Sequence, residues 1–484
     1  MERRRSVLCF LLALVCIWEF SRPHVEAAPV SGLVNAIARK VLPAALKEGG
    51  AIVWKQRRTL ANITTDFSVR GGDKGLETSF YVDNGLNFAM NLNLGTPPVQ
   101  HNFTMALNSE FFWAACSPCV DCNVSTNDPL FSSASSTSYT RIPCTSPFCS
   151  TSPGFSTNAC GSSAVGSTTC LYNFSYSTDY SSAGEMASDV VAMKTPRKTR
   201  GNKSLRMSLG CGRESTTLLG ILNTSGLVGF AKTDKSFIGQ LAEMDYTSKF
   251  IYCVPSDTFS GKIVLGNYKI SSHSSLSYTP MIVNSTALYY IGLRSISITD
   301  TLTFPVQGIL ADGTGGTIID STFAFSYFTP DSYTPLVQAI QNLNSNLTKV
   351  SSNETAALLG NDICYNVSVN DDDAENATVC LAVGDSEKVG FSLNVIGTYQ
   401  QLDVAVEFDL EKQEIGFGTA GCNVSMNLDT SSGFTYVFVW KSSTTQAKRN
   451  PSKPQEKMEI NCVVDARPRL RLPPAFGVRL DDGG

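Results

Sequence analysis

Between Phe88 and Cys422, apolar and polar residues alternate in short runs rich in Val, Ile, Tyr, Phe and Thr, broken by Gly, Ser, Asn and Pro. A period of two marks strands with one buried face, and the frequent breakers keep those strands short. The pattern predicts an all-β body. Helical spacing is scarce, and its best candidates are Asp331 to Leu343, opened by Pro330 and Asp331 as a capping signal, and Ser236 to Met244. Two stretches echo each other. Thr317-Ile318-Ile319 ends in Asp320, Ser321 and Thr322 and is followed later by Val395-Ile396-Gly397, while Met105-Ala106-Leu107-Asn108-Ser109 is followed by Leu227-Val228-Gly229. An apolar strand, a polar turn and then two apolar residues with Gly, twice over, indicates a duplicated β lobe.

The ends of the chain read differently. Arg3-Arg4-Arg5 precedes an apolar run from Val7 to Trp18 and the small cleavage positions around Val25-Glu26-Ala27, which reads as a signal peptide over residues 1–27. That run is well short of the roughly 20 apolar residues a membrane span needs, and Gly433 to Trp440 is shorter still. The chain is therefore expected to be secreted, to the extracellular space or the vacuole, with no membrane partner.

Composition sharpens the division. At 484 residues and 42% apolar the chain exceeds one ordinary domain and is not disordered overall. A net charge of -4 and three histidines argue against nucleic acid as the main partner and against a histidine-rich metal centre. Residues 28–75 hold eight basic and three acidic side chains, residues 76–422 hold seventeen and thirty, and residues 423–484 hold nine and six. The basic segment 28–79 is read as a propeptide whose Lys and Arg neutralise carboxylates on the body, the alternative being a disordered linker. Residues 423–484, Pro-containing and without periodicity, read as a disordered tail.

Secretion fixes the reading of the fifteen cysteines, because an oxidising compartment makes them cross-links. Cys116-x-x-Cys119-x-x-Cys122 is accordingly read as disulfide-forming, and no metal or cofactor is expected. Cys9 and Cys16 leave with the signal. Twelve Asn-x-Ser/Thr sequons, from Asn62 to Asn423, fit glycosylated surface loops.

Several stretches resemble the pepsin-like aspartic proteases, in the cysteine-rich plant branch typified by nepenthesin. They include Leu94-Gly95-Thr96-Pro97-Pro98, Trp113-Ala114-Ala115-Cys116-Ser117-Pro118-Cys119, Gly261 to Gly266, Tyr289 to Leu293, Gly315 to Ser321 and Phe408 through Phe417. Twelve cysteines match that branch's framework: Cys116, Cys119, Cys122, Cys144, Cys149, Cys160, Cys170, Cys211, Cys253, Cys364, Cys380 and Cys422, leaving Cys462 in the tail as the odd one. The resemblance implies a monomer of two β lobes, residues 80–275 and 276–422, with an active-site cleft between them and a flap hairpin above it. Its chemistry needs two carboxylates, one per lobe, each in an Asp-Thr/Ser-Gly turn, sharing one proton.

This chain departs from that pattern in three places. It keeps Asp320 and Ser321 but has Thr322 in place of Gly. Where relatives read Leu-Asp-Thr-Gly-Ser-Asp-Leu-Phe-Trp, it reads Leu107-Asn108-Ser109-Glu110-Phe111-Phe112-Trp113, so that two residues are missing and the first catalytic Asp aligns with Asn108. Ser109, Ser321 and Thr322 are then the supporting hydroxyls, and Glu110 is a conceivable substitute acid. The flap keeps Tyr176 but loses its glycines. An amide cannot share the dyad proton, so Asp320 should titrate as a single carboxyl. Two readings follow. One is a protein with little or no peptidase activity whose cleft binds a peptide or protein ligand, or which inhibits a secreted hydrolase; the other is a working acid endopeptidase cutting between bulky apolar residues. His101 and His273, outside any motif, are expected at the surface.

Overall fold

The computed structural model describes residues 69–418, less internal stretches that are chiefly 123–129, 151–168, 196–200, 216–223, 350–362 and 369–375, together with 439–440 and 458–461. The signal peptide, the leader up to residue 68, His273, Cys160, Cys422 and most of the tail lie outside the described residues.

The body is built of strands, as the period-two pattern requires, with two main helices at the expected places. Pro330–Leu343 begins one residue before the expected start. Phe237–Glu243 is capped by Ser236, whose Oγ accepts the Gly239 N–H at 3.1 Å.

Six antiparallel strands form a platform shared by both halves. Val69–Asp83 pairs with Ser260–Ile270, which pairs with Lys249–Cys253. The platform then crosses to the second half: Lys249–Cys253 pairs with Ala405–Asp409, that strand with Glu414–Gly418, and the last with Ser277–Ile282. Phe250 lies opposite Phe408 in the central ladder, and their rings stack at 4.7 Å. Tyr289 packs edge-on to Phe408 at the same separation, and Phe80 and Phe88 close on Tyr252. All are buried, so the core runs unbroken between the lobes.

Three expectations need correction. The sheet begins at Val69, not at 80: the last stretch of the segment assigned to the leader is a platform strand, because it fills the edge beside Ser260–Ile270. The tail is not without structure throughout, since Met458–Asn461 pairs in parallel with Leu293–Ser297 and antiparallel with Val439–Trp440, where an open strand edge accepts them. His101 is buried, not at the surface: it shares a strand face with Phe103 and Met105, two and four residues on, and meets the Phe131 ring edge-on at 5.9 Å.

Eight of the framework cysteines are disulfide-bonded. Cys116–Cys211 joins Trp113–Val120 to Asn202–Ser215 across a separation of 95 residues, Cys149–Cys170 spans 21, and Cys119–Cys122 closes a loop of 3. Cys144 and Cys253 are also disulfide-bonded. Cys364 and Cys380 are register partners in adjacent strands. Loop-closure entropy makes the longest bridge the most stabilising: C116S/C211S is expected to cost about 2–5 kcal/mol in urea unfolding, and C119S/C122S much less. Equal losses for the two pairs would refute that ranking.

Candidate active site

Two equivalent turns meet at the seam between the halves. In the first, Val99–Ala106 runs parallel to Gly226–Gly229, with Met105 opposite Val228 and Ala106 opposite Gly229. In the second, Thr317–Ile319 runs parallel to Asn394–Ile396, Ile319 lies opposite Ile396, and the Asp320 N–H donates to the Ile396 carbonyl at 3.1 Å. The glycines ending the two partner strands are packed alike. A Cβ on Gly229 would lie 2.4 Å from the Ser109 carbonyl oxygen and 2.7 Å from that of Phe111; one on Gly397 would lie 2.8 Å from that of Phe323 and 2.2 Å from that of Phe325. Ser109 thus corresponds to Phe323, Phe111 to Phe325, and by the same offset of 214 residues Ala106 corresponds to Asp320.

The hydrogen bonds across the seam carry the same offset. The Leu107 N–H donates to Ser321 Oγ at 3.0 Å, and Asn108 Nδ2 donates to Thr322 Oγ1 at 3.2 Å, each over 214 residues. Ser321 Oγ in turn donates to the Met105 carbonyl at 2.7 Å. Ser321 therefore clasps the first half through both a donor and an acceptor, and Leu107, its counterpart, has no hydroxyl with which to return the bond.

These contacts bring Asn108 and Asp320 together, through Thr322, but correct their alignment. Asn108 is the counterpart of Thr322, and Ala106 is the counterpart of Asp320. The turn is not shortened: counting back from Trp113 along the relatives' motif without a break lands on Ala106. The uninterrupted spacing to Trp113 was the signal that identifies Ala106 and Leu107.

Asp320 is fully buried. Its Oδ1 accepts the Thr322 N–H at 2.6 Å and the Thr322 hydroxyl at 2.5 Å, Gln401 Nε2 holds its carbonyl at 2.6 Å, and Oδ2 meets no hydrogen-bond partner among the described residues. Burial raises its pKa above the ordinary carboxylate value, opposed by the bonds from Thr322, Phe323 and Ser321. The cause of the rise is loss of water and not a second acid. Folding therefore favours the protonated form: the stability Asp320 contributes is present below the ordinary carboxylate pKa of about 4 and is lost as pH rises through the raised value. D320N is expected to melt higher than the natural chain at pH 7 and level with it near pH 4, by calorimetry. A variant that melts lower at pH 7 would count against this.

Ser109 lies within its own turn, its Oγ accepting the Phe111 N–H at 3.3 Å. Glu110 is half-buried; burial raises its pKa and the charge of Lys235 opposes the rise. Leu171–Ser177 and Tyr180–Lys194 form the flap hairpin, with Tyr172 opposite Gly184 and Ser177 opposite Tyr180 at the tip. Tyr176 lies beside that tip, and its side chain is outside the described residues.

Two family profiles cover most of this body. One, described as the xylanase inhibitor N-terminal domain, matches residues 88–267; the other, the xylanase inhibitor C-terminal domain, matches 288–377 and 370–419. Nepenthesin-1 of Nepenthes gracilis is 26% identical over 476 residues, covering 87% of this chain and 99% of that protein. The chain belongs to the pepsin-like aspartic protease family of plants. Aspartyl protease family protein 2 of Arabidopsis thaliana is 28% identical over 68% of this chain and 70% of that one. The pepsin-like fold, all-β and bilobal with a cleft between the lobes, also appears in the solved structure of edgp, with a TM-score of 0.54, 22% identity and coverage of 73% of this chain and 96% of that one. Soybean basic 7S globulin gives a TM-score of 0.53 at 20% identity, covering 72% and 97%.

Proposed function

We propose that this chain is a secreted pepsin-like protein without peptidase activity, whose cleft binds a peptide or protein ligand. The observation that supports this reading is Ala106 at the counterpart of Asp320. Aspartic-type peptide hydrolysis needs one carboxylate to take a proton from water while the other, protonated, polarises the carbonyl. A methyl group does neither, and Asp320 alone has no neighbour with which to share a proton. Asn108 and Thr322, in the two positions that are glycine in the relatives' turns, add side chains where those turns have none. Secretion is supported by the signal-like N-terminus, the oxidised cysteines and the sequons.

A second reading, inhibition of a secreted hydrolase, is supported by the family description as xylanase inhibitor. The experiment takes the mature protein, freed of residues 28–68, with denatured haemoglobin at pH 3 to 5, with and without pepstatin, and separately with an endoxylanase. No pepstatin-sensitive cleavage is expected. Turnover blocked by pepstatin and lost in D320A would establish the working endopeptidase instead, and a dose-dependent fall in xylanase rate would select the inhibitor.

A further inference from the structure

The segment following Gly226–Gly229 joins the candidate site to both halves. Its Ala231 N–H donates to the Ser109 carbonyl of the first turn at 3.0 Å, and its Lys232 N–H crosses to the Ala287 carbonyl of the second half at 3.1 Å. The Tyr289 hydroxyl returns to the Phe230 carbonyl at 2.5 Å. Two lysines stand on this segment, and they are used differently. Lys235 Nζ donates to the Phe148 carbonyl at 2.9 Å, lies 5.1 Å from the centre of the Phe148 ring, and offsets the charge of Glu110. Lys232 has its Nζ 5.9 Å from the centre of the buried Tyr289 ring and, among the described residues, no ion-pair partner. It is half-buried, and burial depresses its pKa with no acid to oppose the shift.

A cation half-withdrawn from water beside an aromatic face, with no ion-pair partner among the described residues, lacks half of an ion pair. We propose that Lys232 forms an anion subsite at the seam beside the 106–110 turn, taking a carboxylate of the peptide bound in the cleft. This rests on the reading of the cleft as a peptide-binding groove. The carboxylate comes from an Asp or Glu side chain or from the peptide's C-terminus. Lysine supplies a point charge there with three donors, suited to either source. Asp234, on the same segment, is exposed, and Glu110 faces the charge of Lys235; the phenols of Tyr289 and Tyr290 are raised by burial and remain neutral.

The test measures fluorescence anisotropy at pH 6 with three pools of labelled hexapeptides that are apolar except at one position: Asp with an amidated C-terminus, Asn with an amidated C-terminus, and Asn with a free C-terminus. The natural protein is expected to prefer one carboxylate-bearing pool over the amidated Asn pool by about tenfold, the size expected of a charge-assisted bond. K232Q should erase that preference while leaving the amidated Asn pool within about twofold, and K232R should retain it. The Asp and free-terminus pools tell the two sources apart. Equal binding of all three pools, or a preference that survives K232Q, would overturn the subsite and leave the groove reading standing. Failure of every pool to bind would remove the groove reading and the subsite with it.

Discussion

Rebuilding both turns together is expected to create a pepstatin-sensitive peptidase where the natural chain has none. In A106D/L107T/N108G/T322G, residue 106 presents a carboxylate at the counterpart of Asp320, residue 107 gains the hydroxyl that Ser321 already has, and two side chains leave the floor. Cleavage of haemoglobin at pH 3 to 5 should rise by about 10²- to 10⁴-fold over the natural chain, the range supplied by a placed acid and base. N108D alone should give nothing, since residue 108 pairs with Thr322 and not with Asp320. A well-folded quadruple variant that stays inactive would show that the flap tip, with its missing glycines, also prevents turnover.

The second large effect is on stability. Gly229→Ala and Gly397→Ala each drive a Cβ to 2.4 Å or less from a backbone carbonyl oxygen, and backbone cannot swing aside as a side chain would. Each substitution is expected to cost about 3 kcal/mol or more, or to abolish the yield of folded protein. Gly308→Ala, where nothing lies within 4 Å of the added atom, should stay within about 0.5 kcal/mol. Comparable melting temperatures for all three would contradict the close approach on which the pairing of the two turns rests.

What the sequence disclosed followed from the range of each signal. The strands, both helices and the cysteine framework were legible because periodicity, capping and oxidation are local or compositional. Asp320 stood out as an acid ending an apolar strand. Ala106 did not, because an alanine carries no chemistry to mark it; its place shows only in the unbroken spacing to Trp113 and in the geometry of the second half. The Ser321 clasp joins residues 214 apart and has no local trace at all. His101 shows a different failure: its strand alternation with Phe103 and Met105 implies burial, whereas standing outside any motif says nothing about exposure. The charge count of the basic segment carries no trace of the strand at Val69–Asp83, whose longest ladder is with Ser260–Ile270, nearly two hundred residues later.

That shared sheet also orders the protein's biosynthesis. Cys116–Cys211 and Cys149–Cys170 lie wholly within the first half, so they can close while the second half is still being made. Lys249–Cys253, in contrast, waits for Ala405–Asp409, and until then its apolar edge has no neighbour. A growing chain thus carries an oxidised but unfinished lobe until the second half is made, and this is the interval in which it depends most on chaperones to keep that edge from pairing with another chain.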